Sequence, residues 1–157
     1  VKKAFSDQTS YGEFVYSLIN HTCSFSMDVD GMGGKVVLDL ASPLLQGLVK
    51  VSPRSQGDAY AEDEIKRMQY LGERLARDFE KTWAPVKKVV VRSVQLHTDP
   101  YELHAVAMPE IIGLLAFSVD GRSPDTGFGG LMSLCYPLPT LAAVLPALGE
   151  FSKKGTS

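Results

Sequence analysis

FSMDVDGMGGKVVLDL, residues 25–40, and AFSVDGRSPDTGFGGLMSLCYP, residues 116–137, decide the fold when laid side by side. In the first, Cys23, Phe25, Met27 and Val29 alternate with Thr22, Ser24, Ser26 and Asp28, the period-two pattern of a half-buried strand. Asp30, Gly31, Gly33 and Gly34 tolerate positive φ, and the apolar run Val36, Val37, Leu38, Leu40 then resumes, so the stretch reads as a hairpin. In the second, Val29-Asp30-Gly31 recurs as Val119-Asp120-Gly121 and Gly33-Gly34 as Gly129-Gly130, with a turn six residues longer. The flanks repeat as well. YGEF and YEL precede the hairpins, and SPLLQGLV and LPTLAAVL follow them. Two copies, about 10–50 and 99–149, predict an α/β domain with pseudo-twofold symmetry, antiparallel strand pairs in one sheet and helices against it.

The remaining segments fit around this repeat. Residues 1–9 suit an edge strand, and Tyr11, Phe14, Val15 and Leu18 recur at helical spacing. Ser42 followed by Pro43 predicts a helix start with serine as the cap, and Leu44, Leu45, Leu48 and Val49 form its apolar face. Residues 50–60 contain Pro53 and Gly57 without an apolar pattern and read as an exposed loop. The longest helix follows at 61–83, where Ile65, Met68, Leu71, Leu75, Phe79 and Trp83 trace one stripe. Glu62 with Lys66, Asp63 with Arg67, and Glu73 with Arg77 are spaced for surface pairs. Val89 to Leu96 is a β-branched strand, 111–119 suits a strand buried on both faces, 130–136 is another strand, and 139–148 is a terminal helix.

Length and composition set the class. At 157 residues the chain is one domain, and 45% hydrophobic with 22% charged residues excludes disordered and fibrous classes. A formal charge of -2 supplies no field for a nucleic-acid backbone. Cys23 and Cys135 are expected to be reduced, buried thiols. Residues 126–149 carry no charge and are long enough to cross a bilayer, but Pro137, Pro139 and Pro146 with Gly127, Gly129 and Gly130 in the interior divide them into turn, strand and helix. The first residues, Val1, Lys2 and Lys3, lead into no apolar signal segment, and the chain is expected to be a portion of something longer.

No catalytic constellation stands out. Gly31-Met32-Gly33-Gly34-Lys35 lacks the earlier glycine and later hydroxyl of a phosphate loop, because Val29 and Val36 hold those places. His21, His97 and His104 are not spaced to share a metal, and both cysteines sit in strand patterns without a base. The expectation is an interaction module with no cofactor and no metal.

Three blocks carry a family resemblance: SYGEFVYSL near the start, EDEIKRMQYLGERLARDFEKTW in the long helix, and GLMSLCYPLPTL near the end. Together they resemble the middle domains of the bacterial flagellar motor switch protein FliM, from about residue 10 to 148. The resemblance implies a three-layer α/β/α CheC-like fold with a mainly antiparallel central sheet. It implies a non-catalytic scaffold of the cytoplasmic switch ring at the flagellar basal body, on the inner face of the cell membrane. The implied partners are the FliG middle domain, neighbouring FliM copies, and CheY mainly through a segment not present in this sequence. A carboxyl-terminal SpoA-type domain is likewise not visible.

CheC-type relatives are phosphatases of phosphorylated CheY that use an E-x-x-N pattern. Here the sole asparagine, Asn20, is preceded three places earlier by Ser17, while Glu13 and Glu73 are followed by Tyr16 and Ala76. The pattern is absent, which sets the phosphatase alternative aside. A type III secretion sorting-platform protein is the other alternative. FliM proteins carry a Gly-Gly-x-Gly loop for FliG, which the resemblance aligns with Arg54, Ser55, Gln56 and Gly57. Only the last glycine is kept. The loop is then either a polar variant of the FliG contact or a solvated connector.

Overall fold

Gly31 and Gly33 take φ of +95° and +71°, the left-handed region open to glycine, and so close the first hairpin. A computed structural model describes residues 2–18, 23–49, 60–99, 102–103, 106–120 and 129–155. The order is β1 (Lys2–Ser10), α1 (Tyr11–Ser17), β2 (Ser24–Asp30), β3 (Gly34–Leu40), α2 (Ser42–Leu48), α3 (Glu62–Trp83), β4 (Val90–His97), β5 (Ile111–Asp120), β6 (Gly129–Pro137) and α4 (Leu138–Gly155). The strands form one six-stranded sheet in the order β1-β5-β6-β3-β2-β4, and every pairing is antiparallel.

The register carries the repeat. Val29 matches Val119, a step of 119 − 29 = 90, and Gly34 matches Gly130, a step of 130 − 34 = 96. These steps turn the pair Phe25–Leu38 into Leu115–Leu134, Met27–Val36 into Phe117–Met132, and Val29–Gly34 into Val119–Gly130, all of which are paired. The central pair Leu38–Leu134 maps onto itself, so the pseudo-twofold axis passes through it. The strand order reads the same in both directions under the exchange of β1 with β4, β2 with β5 and β3 with β6. Each half lends its first strand to the other: β1 pairs with β5, and β4 pairs with β2.

Two cores lie on the two faces. α1 covers Val37, Ile112 and Cys135, with Leu103 added from the irregular second-copy counterpart of α1. The two counterparts are tied together, Tyr11 Oη donating to the Leu103 carbonyl at 2.7 Å and Gly12 N to that of Met108 at 2.8 Å. On the other face α2, α3 and α4 cover Phe25, Met27, Val36, Leu38 and Tyr136, giving the three α/β/α layers. Phe79 and Trp83 anchor the end of α3 on Tyr136, with ring centroids 6.4 and 6.2 Å away.

Several local expectations are corrected. Ala41, not Ser42, is the N-cap of α2, which places Pro43 second in the helix. α4 runs on through Pro146 to Gly155, seven residues past the expected end at Leu148. In β2, Ser24 and Ser26 are buried, because their face is a second core and not a solvated side. In β5, Ile112 and Ala116 are fully buried while Ile111 is exposed, so burial there is not continuous. Arg77 pairs with Glu80 at 2.8 Å in place of Glu73, because Glu80 shares its contact with β4. Of the uncharged stretch, residues 129–149 are divided between β6 and α4 and the expected turn at 126–128 lies outside the described residues; among the described residues no helix is long and apolar enough to cross a membrane.

Candidate protein interaction surface

The tetrad Arg54, Ser55, Gln56 and Gly57 lies outside the described residues. Its flanks are described, and they converge. α2 ends at Leu48 and Val49, and the chain re-enters at Tyr60 to start α3. The first turn of α3 is fixed by the Glu64 carboxylate, which accepts from Ala61 N at 3.0 Å. Between these helices runs a groove of about 410 Å³ lined by Leu48, Val49, Lys66, Arg67 and Tyr70. Leu48 is 42% exposed and Tyr70 66%, large apolar surface that folding leaves in water.

Charge frames this groove on one side. Lys66 pairs with Glu62 at 3.7 Å and Arg67 with Asp63 at 3.0 Å, as their helical spacing predicted. The Arg67 hydrogen bond holds the Asp63 carboxyl below the usual carboxylate range. An open apolar floor with a polar rim suits a macromolecular partner, since the centre of such a patch supplies desolvation and the rim supplies orientation. Of its lining, sequence reasoning assigned Leu48 and Val49 to the core face of α2. Tyr70 lies off the Ile65-Met68-Leu71 stripe, and an aromatic at such a position is the sequence signal for this surface.

The two thiols and the β2 serines are sealed instead. Cys23 and Cys135 are free and buried, burial pushing the Cys135 thiol up to about 12 and the Cys23 thiol higher still. Ser24 Oγ donates to Asp39 Oδ1 at 2.7 Å, and Ser26 Oγ lies 2.9 Å from His97 Nε2. Both serines are too buried to meet a substrate, so the network satisfies core polar groups. Among the described residues no cluster of His, Cys, Asp or Glu could hold a metal. His21 and His104 lie outside them.

No protein-family model matches the chain. The chain is 21% identical over 149 residues to the flagellar motor switch protein FliM of Bacillus subtilis strain 168, which covers 90% of this chain and 43% of that protein. A crystal structure of the FliM middle domain from Vibrio alginolyticus superposes with a TM-score of 0.75 at 17% identity, over 93% of this chain and 83% of that one. The chain is FliM middle-domain-like in fold. A chain of the FliG–FliM complex from Helicobacter pylori gives a TM-score of 0.72 at 21% identity, over 92% of this chain and 80% of that one. The FliM middle-domain fold thus extends across both repeat halves, and the chain spans less than half the length of the curated FliM it matches.

Proposed function

We propose that the chain is a non-catalytic scaffold module of a flagellar motor switch, working at the cytoplasmic face of the basal body. The observation that carries this reading is the FliM likeness over 149 residues, which includes both repeat halves and the long helix between them. The relative solved with FliG suggests the partner: a FliG-type rotor protein. The docking site is the α2–α3 junction, with Leu48, Val49 and Tyr70 as the apolar floor and Arg54, Ser55, Gln56 and Gly57 as the adjoining loop. Arg54 and Ser55 stand where a glycine pair would let backbones meet, so this contact is made through side chains and is more polar than a glycine loop would give. Neighbouring copies of the chain and CheY complete the partner set, CheY acting mainly outside this segment. Absence of the E-x-x-N pattern supports a scaffold over a phosphatase of phosphorylated CheY.

Titration of the isotope-labelled chain with the FliG middle domain tests both levels of this reading. The amides of Leu48, Val49 and residues 60–70 are expected to shift together. Shifts confined to other elements overturn the site, and an absence of any shift overturns the partner. In a parallel assay the chain leaves the lifetime of phosphorylated CheY unchanged; faster loss of phosphate would restore the enzyme reading.

A further inference from the structure

Among the described residues β4 is the last strand of the sheet and pairs only with β2. Its outer edge is protected at the start. Val91 N donates to Glu80 Oε2 at 2.8 Å, the Val91 carbonyl accepts from Arg77 Nη2 at 3.4 Å, and the two caps are themselves an ion pair. Farther along, at residues 93–96, no described side chain caps the outer backbone. A free edge of this kind is a template for another strand.

Beside that open stretch lies a groove of about 330 Å³. Gln69, Tyr70 and Glu73 of α3 form its wall, and Phe25, Val94 and Leu96 form its floor. Glu73 is the notable member. Its sequence partner Arg77 is engaged with Glu80 and the Val91 carbonyl, so among the described residues the Glu73 carboxylate has no ion pair. The device that protects one end of the β4 edge therefore leaves a free negative charge at the other.

We propose that residues 93–96 of β4 take up an extended strand from a partner protein, one with apolar side chains at alternate positions and a lysine or arginine that meets Glu73. A strand added about 4.8 Å from β4 satisfies the open backbone groups and sends every second side chain toward the groove. The apolar floor accepts those side chains, and the unpaired carboxylate selects the cation. A second copy of this chain fits less well. Its own free edge, β1, would bring Ser6, Gln8 and Ser10 to the groove side, since these pair with Leu115, Gly113 and Ile111 on the face that carries α3. Two β4 edges facing each other would bring two Glu73 carboxylates to one junction.

The test uses short capped peptides of alternating valine and threonine, one with a flanking lysine and one with glutamate in its place. Titrated into the labelled full chain, the lysine peptide is expected to shift the amides of residues 93–96 and of Gln69, Tyr70 and Glu73. It should bind about threefold to fivefold more tightly than the glutamate peptide, the scale of one exposed charge pair. Glu73→Lys, an exposed substitution, should invert that preference without moving the FliG-dependent shifts of Leu48 and Val49. Equal binding of the two peptides, or no shift at residues 93–96 at millimolar peptide, overturns the proposal. Concentration-dependent broadening of the same amides without peptide also overturns it, by assigning the edge to a second copy.

Discussion

Asp28 sits half exposed on β2, where strand pairing sets Lys35 of β3 on one side and Ser93 of β4 on the other. The Ser93 hydroxyl donates to its Oδ2 at 2.9 Å, and Lys35 Nζ lies 3.3 Å from Oδ1. The Ser93 hydrogen bond, with Lys35 in support, holds the carboxyl below its ordinary value. A depressed carboxylate favours the folded state above the unfolded pKa of about 3.9, and that contribution is lost as pH falls through the folded pKa. Ser93→Ala removes the larger cause, so the Asp28 carboxyl should titrate closer to the ordinary range. Carboxyl carbon shifts followed by NMR across acid pH measure this; an unmoved Asp28 titration would assign the depression to Lys35 alone. Residue-level placements of this sort were only partly legible in the sequence. The alternation in β2 identified the strand and its face, but it could not distinguish Asp28, which meets water, from Ser24 and Ser26 on the same face, which lie under cover. Burial of a strand face depends on what lies over it, and the pattern of one strand does not record that.

The elements themselves were more legible where periodicity and turn chemistry agreed, as in the β2–β3 hairpin and the α3 stripe. They were less so where a packing contact decided. Ser42 carried the signature of a cap, yet the helix begins one residue earlier. Gly72 is the clearest example of a contact hidden from pattern. It lies mid-helix in α3, where glycine is costly relative to alanine, and a Cβ built there would stand 2.5 Å from the ring of the fully buried Phe25. The helix gives up propensity to lie close to β2. Gly72→Ala should gain about 1 kcal/mol from helix propensity and lose about 1–3 kcal/mol to overpacking, for a net destabilisation of about 1 kcal/mol. Chemical denaturation reads the difference, and Gly72→Ala combined with Phe25→Leu should recover part of it. A stabilised Gly72→Ala single variant would mean the ring yields easily. The same close approach forms the wall and floor of the β4 groove, which is why neither α3 nor β4 alone announced that site. Residues 54–57 carry no apolar periodicity of their own, so resemblance and not pattern points to them.

For the molecule as a whole, the exchange of first strands between the repeat halves matters most. A hairpin repeat with its own neighbours could unfold by itself, but here β1 completes the second hairpin and β4 the first. The central β3–β6 pair joins the halves again across the pseudo-twofold axis. Neither half can be withdrawn without stripping an edge or the centre of the other, so the sheet is expected to unfold as one cooperative unit. The two cysteines report on this directly. Cys23 lies in the first half, in the core under α2, α3 and α4, and Cys135 lies in the second half, in the core under α1. Burial raises both thiols well above neutral pH, so neither should react with a maleimide at pH 7 in the folded chain. As denaturant rises, both should become reactive over the same interval, coincident with the fluorescence change of Trp83 on α3. Cys23→Ala and Cys135→Ala variants, each leaving one thiol, separate the signals, with each transition compared against that variant's own fluorescence. Labelling of Cys135 well before the fluorescence transition would show that the α1 face opens as a separate unit, and the interlocked halves would then not govern stability.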